Sequence, residues 1–351
     1  MRPALGKLSP EAFARSIAPH LGASRGDVLV GPRAGHDAAI IRVGAGRVMA
    51  VTTDPLSLVP SLGPERSAWL SCHLLASDLW TTGIPPAHVS VSFALPPDLS
   101  DDEFARYWRA MSDAWAALEV AVVTGHTGRY PGCALSIVGA ATLMGLGDEG
   151  RFLTPAMARP GDRVLITKGC AIETAAVAAS IAGDVLRSRL DEAAFARLSA
   201  SWSQVSVVAD CRAALRAGVH ERGVTAMHDA TEGGVLGGLL ELALACGHDV
   251  RAERSRIPLS VEVAAACEWL SVDPYWSLAQ GALIACAAPE RAEAVLSEWR
   301  AEEIVGADVG EVVGGGGGRL WVTESDGSVT RHDTPQVDPY WAAYERVIAE
   351  R

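Results

Sequence analysis

Strand-like and helix-like segments alternate along the whole of this 351-residue chain, and this alternation constrains the fold more than any other feature of the sequence. A stretch that carries prolines and glycines, residues 147–161, divides the alternation into two halves. Such stretches are typical of domain boundaries, and a length of roughly 150 residues per domain also favours two domains. We therefore predict a two-domain α+β protein, with residues 1–155 in the first domain and residues 156–351 in the second.

The composition excludes several classes of protein. Apolar residues make up 49% of the chain and charged residues 21%, values typical of a folded globular protein. The net charge of −12 argues against a nucleic-acid backbone as the main partner, because such binders present dense positive charge. No apolar run reaches the length of about 18 residues that a membrane helix needs. The 7 cysteines are scattered, as in a protein with reduced thiols. We expect a cytoplasmic protein that binds neither nucleic acid nor membrane.

In the first half, glycine turns separate short apolar segments. Ser9 and Pro10 predict a helix start, because serine is a good N-cap and proline suits the first helical position. Residues 120–123 are apolar, and together with Thr124 they predict a buried strand over residues 120–124. The predicted helices cover residues 10–21, 68–82 and 101–119, and the predicted strands cover residues 28–30, 38–43, 47–53, 89–95, 120–124 and 135–144.

The second half predicts a similar mixture of elements. Its predicted strands include residues 163–167 and 281–287, and its helices cover residues 172–182, parts of 191–217, 233–246 and 290–299. The run Gly314–Gly318 precedes no helix, so we interpret it as a hairpin tip and not as a phosphate-binding loop. Asp326-Gly327 predicts a further hairpin turn.

Acidic residues stand at element ends in the first half. Asp37 precedes a predicted strand, Asp54 ends the next one, and Asp78 interrupts an apolar helix. Mg²⁺ prefers oxygen ligands and is commonly held by a few carboxylates together with substrate phosphates. The alternative is that each aspartate only caps a turn or a helix. A buried carboxylate in the position of Asp78 is costly unless it is paired or bound to metal.

Two motifs in the second half also suggest chemistry. In the segment His228–Gly234, paired glycines open a helix and would offer backbone N–H groups to an anion, while Asp229 and Glu232 could serve metal binding or proton transfer. The alternative is an ordinary helix cap. Lys168 after a strand and Glu173 in the following helix form a similar pair, whose alternative is a surface lysine and a solvated glutamate.

Taken in this order, the segments resemble the superfamily of aminoimidazole ribonucleotide (AIR) synthase, PurM, whose other members are ThiL, SelD and HypE. The resemblance rests on short motifs spread over residues 28–310. They are Gly35-His36-Asp37-Ala38-Ala39-Ile40, Thr52-Thr53-Asp54, Ser77-Asp78 with Thr82-Gly83-Ile84-Pro85-Pro86, Gly125-His126-Thr127, His228–Gly238 and Gly281-Ala282-Leu283.

The resemblance implies a PurM-like fold, in which the N-terminal α/β domain dimerises to build a β-barrel across two chains and a C-terminal α/β domain packs against it. It also implies an enzyme that binds Mg-ATP between the domains and at the dimer interface and transfers phosphate to a small-molecule substrate. By resemblance, Asp37, Asp54, Asp78 and His126 would be metal ligands, and Asp78, His126 and Asp229 would be catalytic. The expected contacts to the cofactor are Asp37, Asp54, Thr53, Lys168, Gly125 and Thr127, and those to the substrate are Glu173, His228, Thr231, Glu232, Gly233 and Gly234.

The sequence departs from the family where His36 and His126 replace two aspartates, since imidazole is a poorer partner for Mg²⁺ than carboxylate. It is most similar to a little-characterised AIR-synthase-related, HypE-like branch. HypE and SelD chemistry are not expected, because the cysteines that those enzymes use are absent from their positions.

Three hypotheses follow from these departures. The first is a homodimeric Mg-ATP-dependent phosphotransferase or ATP-activating synthase of unknown substrate. The second is a catalytically inactive nucleotide-binding or structural homodimer of the same fold, suggested by the two histidines. The third is a transition-metal site built from His36, His73, His126 and His228, since imidazole suits such ions.

Overall fold

A computed structural model describes residues 5–33 and 35–349 of the chain. The described residues form two compact units. The N-terminal unit contains residues 26–31 and 37–152, and the C-terminal unit contains residues 153–349 together with the described parts of 1–25 and 32–36. The first helix, α1 (Pro10–Ser16), therefore belongs with the C-terminal unit. Ser9 caps it as predicted, but the α-helix ends at Ser16, before a short 3₁₀ turn.

The N-terminal unit is a six-stranded sheet with two helices. Its strands are β1 (Val28–Val30), β2 (Ala39–Gly44), β3 (Arg47–Ser57), β4 (His88–Leu95), β5 (Ala121–Arg129) and β6 (Ile137–Asp148), and its helices are α2 (Gly63–Trp80) and α3 (Asp101–Ala117). The strand order is β1-β2-β3-β6-β4-β5. Only β4 and β5 pair in parallel, and the remaining pairs are antiparallel.

The prediction of a buried strand at residues 120–124 is wrong. Strand β5 forms the edge of the sheet, with β4 as its neighbouring strand, and residues 121–127 are exposed because no other element of the described chain covers the faces of this stretch. The strand also continues through Gly125-His126-Thr127, which we expected to follow it. An apolar segment of this length indicates a strand but cannot indicate its place in the sheet order.

The C-terminal unit is built on a seven-stranded sheet of order β13-β12-β9-β11-β7-β10-β8. The strands are β7 (Arg163–Thr167), β8 (Val224–Ala230), β9 (Asp249–Glu253), β10 (Ala282–Ala287), β11 (Gly306–Val313), β12 (Leu320–Thr323) and β13 (Val329–His332). The helices are α4 (Ile172–Arg187), α5 (Glu192–Ala200), α6 (Val208–Arg216), α7 (Gly234–Cys246), α8 (Val261–Leu270), α9 (Pro289–Ala301) and α10 (Pro339–Ala349). Every residue of β8 and β10 is buried, which fits strands covered on both faces.

Two turn predictions have different outcomes. Asp326-Gly327 does join the antiparallel pair β12 and β13, as predicted. The run Gly314–Gly318 is not a hairpin tip, because β11 and β12 lie on opposite sides of β9 and the run connects them across it. Glycines permit a reversal of the chain, but they do not determine which strands become neighbours. Among the described residues, no helix combines the length and the apolar character needed to cross a membrane.

Candidate functional site

The side chain of Thr52 links two of the three predicted metal-binding aspartates. Thr52 lies in β3 and is only 3% exposed. Its hydroxyl oxygen is 2.8 Å from the backbone carbonyl oxygen of Asp37 and 3.1 Å from Oδ2 of Asp78, and its single hydrogen can be donated to either acceptor. The segment before β2 and the helix α2 are therefore joined at one buried hydroxyl group.

Asp54 lies on the same face of β3 as Thr52, because side chains two residues apart in a strand point to the same side. The carboxylates of Asp37, Asp54 and Asp78 are each half-buried. Carboxylate and hydroxyl oxygens are the donors that a hard cation such as Mg²⁺ prefers, so this face of the N-terminal unit suits that ion chemically. Thr52 belongs to the motif Thr52-Thr53-Asp54 but was not among the predicted site residues, although strand alternation places it on the same face as Asp54.

Thr53 points away from these carboxylates. It is exposed on the opposite face of the sheet, where its hydroxyl lies 2.9 Å from the hydroxyl of Thr142 on the paired strand β6. We had assigned Thr53 to the cofactor, but within one chain Thr52 is the threonine beside Asp78.

The three predicted residues of β5, namely Gly125, His126 and Thr127, are exposed at the edge of the sheet. Nε2 of His126 is hydrogen-bonded to the hydroxyl of Tyr130 at 2.7 Å. Two strands separate β5 from β3, so the backbones of His126 and Asp54 lie about 14 Å apart at about 4.8 Å per strand. Ligands of one Mg²⁺ ion lie within about 4 Å of one another. Within one chain, His126 therefore does not share an ion with Asp54.

The other predicted histidines occupy varied surroundings. His73 stacks on Trp69 with ring centroids 3.9 Å apart, and burial lowers its pKa to about 4, so the ring is neutral at physiological pH. Nε2 of His36 accepts a hydrogen bond of 3.1 Å from the Arg33 guanidinium. His73 and His126 lie in one unit, on a helix and on an edge strand, while His36 and His228 belong to the other unit.

In the C-terminal unit, His228 and Asp229 lie inside β8 and not in the loop where we expected them. Their exposed fractions are 0% and 1%. Nε2 of His228 is 3.0 Å from Oε2 of Glu241 on α7, and this contact fixes the orientation of the imidazole ring. The loop itself begins at Thr231.

Gly233 and Gly234 both have left-handed backbone conformations, with φ of +84° and +70°. A Cβ atom on Gly234 would lie 2.5 Å from the carbonyl oxygen of Tyr275, so only glycine fits there. We expected the N–H groups of this turn to be available to an anion, and that expectation is wrong for several of them. The N–H groups of Gly233, Gly234 and Leu236 donate to Asp338, Thr231 and Tyr275.

Lys7 contacts the loop after β8 directly. Its ammonium nitrogen is 3.0 Å from the Thr231 hydroxyl, and its backbone N–H donates to Oε2 of Glu232 at 2.8 Å. Gly6 adopts φ +98°, and a Cβ atom there would clash with the Glu232 carboxylate. Lys7 was not among the predicted site residues, because it lies 225 positions from Glu232 and no local sequence pattern indicates a contact over that separation.

Lys168, predicted to bind the cofactor, is engaged inside the protein. Its ammonium nitrogen lies 3.2 Å and 2.7 Å from the carbonyl oxygens of Gln204 and Ser206, and 2.9 Å from Oδ2 of Asp210. These contacts use all three donors of the ammonium group. Glu173, the other residue of that predicted pair, lies in the first turn of α4. Burial raises the pKa of the Tyr340 phenol, and the nearby Glu173 carboxylate raises it further.

Two family models match the chain. The model described as the N-terminal domain of AIR synthase related protein matches residues 35–146, and the corresponding C-terminal domain matches residues 159–323. Carbamoyl dehydratase HypE from Rhizobium leguminosarum bv. viciae is 32% identical over 292 residues, which cover 80% of this chain and 78% of that protein. Selenide, water dikinase from Geobacter sp. (strain M21) is 25% identical over 338 residues, which cover 89% of this chain and 93% of that protein.

Solved structures share the fold. The crystal structure of E. coli HypE superimposes with a TM-score of 0.70 at 23% identity, over 94% of this chain and 95% of that chain. The structure of AaThiL complexed with AMPPCP and TMP superimposes with a TM-score of 0.64 at 19% identity, over 86% and 90%. The mixed α+β, two-domain, PurM-like fold expected from the motifs is thereby confirmed.

Proposed function

Because the chain belongs to the AIR synthase related family, we propose that it is an Mg-ATP-dependent enzyme, acting as a phosphotransferase or as an ATP-activating synthase. Its relatives bear the names of enzymes, among them a carbamoyl dehydratase and a dikinase. Structures of the same fold hold ATP in HypE and AMPPCP in ThiL. The observation that carries the proposal is one face of β3, where Asp54 lies on the same side as Thr52 and the Thr52 hydroxyl contacts the Asp78 carboxylate and the backbone carbonyl of Asp37.

We propose Asp37, Asp54 and Asp78 as the metal ligands on this face of the N-terminal unit. Bound there, Mg²⁺ would neutralise phosphate charge, the main requirement of phosphoryl transfer besides positioning. Thr52 contacts the backbone of Asp37 and the carboxylate of Asp78, and so connects the segment before β2 to helix α2 at one point.

We further propose that the protein is a homodimer whose edge strand β5 meets a second copy in the barrel that the family resemblance implies. The backbone groups on the free side of an edge strand are a template for pairing. Val122 and Val123 of β5 are 41% and 53% exposed, an unfavourable state for an uncovered apolar pair. In such a dimer, Gly125, His126, Thr127 and the outward-facing Thr53 would serve the nucleotide, with His126 as a metal ligand or in proton transfer.

The acceptor side of the proposed reaction lies in the C-terminal unit. We place Asp229 there as the catalytic carboxylate. The predicted substrate contacts are Glu173, His228, Thr231, Glu232, Gly233 and Gly234. We add Lys7 to them, because it contacts Thr231 and Glu232. The cysteines of the described residues are all unpaired thiols, which supports a reducing compartment and our proposal of a cytoplasmic enzyme.

The first experiment is the thermal unfolding midpoint of the purified protein with and without millimolar Mg-ATP, together with ATP turnover. A ligand at about 100 times its Kd adds about 2.7 kcal/mol, a shift of several degrees for units of this size. We expect Asp54→Asn and Asp78→Asn to abolish the shift and the turnover. Asp148→Asn is the matched control, since Asp148 is an exposed carboxylate paired with Arg47.

One threonine variant tests the role of this face of β3. Thr52→Val is expected to weaken the Mg-ATP shift, because it removes the hydroxyl that contacts Asp78. If Asp54→Asn and Asp78→Asn both retained ATP turnover, the proposed metal site would be refuted. A normal shift without turnover would favour an inactive nucleotide-binding dimer, and the absence of any shift would favour a structural one.

A further inference from the structure

The C-terminal helix α10 lies outside the segments that match the family models, which end at residue 323. It nevertheless contacts both motifs that we assign to the acceptor side. The contacts run through Asp338, which directly precedes the helix, and through Tyr340 in its first turn.

Asp338 ties the glycine turn to α10. Its side chain is buried, with an exposed fraction of 6%. Oδ2 accepts a hydrogen bond of 2.8 Å from the N–H of Gly233, and Oδ1 accepts one of 2.8 Å from the N–H of Tyr340. One carboxylate thereby fixes the start of α7 and the start of α10 together.

Tyr340 extends this connection to the other motif. It is buried and packs with Val177 of α4 and with Leu278. The carbonyl oxygen of Leu278 accepts hydrogen bonds from the N–H of Thr174 at 3.2 Å and from its hydroxyl at 2.9 Å. Thr174 follows Glu173 in the first turn of α4, so α10 packs where the two acceptor-side segments meet.

We propose that Asp338 is a positioning residue, which holds the loop Thr231–Gly234 in the conformation that the reaction needs. The proposal rests on the proposed function only in taking this loop as the acceptor side. Asp338 acts through the backbone of Gly233 and touches neither ATP nor the metal ligands that we assign.

The charge of Asp338 supports a role beyond stability. Burial, and then the nearby Glu232 carboxylate, raise the pKa of Asp338 to about 6, against the opposing effect of its backbone donors. A buried carboxylate whose pKa is shifted by burial and by a neighbouring charge is a candidate for a functional position.

Hydrogen exchange of the backbone tests the proposal without any substrate. In Asp338→Asn one of the two N–H groups faces an amide NH₂ in place of an acceptor, so we expect peptides of residues 231–237 to exchange about tenfold faster or more. At about pH 4, where Asp338 of the folded wild type is protonated, we expect the urea unfolding midpoint of the variant to differ little from that of the wild type. The control is Asp191→Asn, which removes a carboxylate that caps α5 by accepting from the N–H of Ala194 and should affect that helix alone.

A second measurement uses the wild-type protein and so does not depend on the folding of a variant. Protection of the Gly233 amide, corrected for its intrinsic exchange rate, should fall as the pH drops through about 6 and Asp338 becomes protonated. Asp338→Asn should lose this dependence. ATP turnover should fall about tenfold in the variant while the Mg-ATP thermal shift stays unchanged.

Unchanged exchange at residues 231–237 in Asp338→Asn would overturn the proposal, as would acceleration spread evenly over the C-terminal unit. Failure of the wild-type protein to bind or turn over ATP would instead overturn the proposed function. The exchange experiment distinguishes failure of the Asp338 proposal from failure of the proposed function, because it uses no nucleotide.

Discussion

Removing the ammonium group of Lys168 is expected to destabilise the C-terminal unit strongly. The side chains of Lys168 and Asp210 are 15% and 2% exposed, so the pair is largely shielded from water. Lys168→Met would leave the Asp210 carboxylate buried without its cation and would deprive the carbonyl groups of Gln204 and Ser206 of a donor. Breaking a buried pair in this way costs about 3–5 kcal/mol. For a unit of this size, the unfolding midpoint should fall by roughly 6–20 °C.

Urea unfolding followed by tryptophan fluorescence is the assay, because the buried Trp299 donates its indole N–H to the carbonyl oxygen of Asp210. In the double variant Lys168→Met with Asp210→Asn, the uncompensated charge is gone, and we expect at least about 1.5 kcal/mol to be recovered. Lys168→Arg keeps the charge and serves as the control. If Lys168→Met unfolds within about 1 kcal/mol of the wild type, the ammonium group is available to a ligand and our account of it is wrong.

Three further predictions concern the glycine turn, the edge strand and Asp338. Gly233→Ala should lower the free energy of unfolding in urea by about 1–2 kcal/mol, because alanine is strained at a left-handed φ. Gly234→Ala should lower it by about 1–3 kcal/mol more, because its Cβ atom would also clash with the carbonyl oxygen of Tyr275. Equal losses in the two variants would contradict this account. Val123→Glu should turn the dimer into a monomer in light scattering, whereas Val43→Glu, at a residue that is 50% exposed, should not. Finally, the folded protein binds the proton of Asp338 more tightly than the unfolded chain, because the pKa rises from 3.8 to about 6. Relative to Asp338→Asn, the wild type should therefore lose up to about 3 kcal/mol of stability as the pH rises from about 4 to about 7, and parallel urea curves would refute it.

Features written in neighbouring residues could be predicted from the sequence. Ser9 caps α1 as predicted, because its hydroxyl oxygen accepts a hydrogen bond of 3.2 Å from the N–H group three positions ahead. The bounds predicted for β7 agree with the structure, because an apolar run between turn residues marks both of its ends. Asp37 and Asp78 could likewise be selected, since an acidic residue at an element end or on an apolar helix is visible in the sequence.

Features that depend on the neighbours of an element could not be predicted. The exposure of β5 depends on which elements cover its two faces, and the path of Gly314–Gly318 depends on the position of β9. The sequence around Lys168 gives no sign that its ammonium group contacts residues 204–210, which lie 36 to 42 positions further along the chain.

Periodicity, caps and short motifs act over a few residues, so the two-domain α+β fold and the family could be predicted from them, and the carboxylates that we propose as metal ligands could be selected. That Thr52 and not Thr53 lies beside Asp78, and that Lys7 and Asp338 contact the loop after β8 from 225 and 105 positions away, is visible only in the folded chain. The physical reason is that a hydrogen bond depends on distance in space. The order of strands and the packing of helices, which set that distance, are properties of the whole chain.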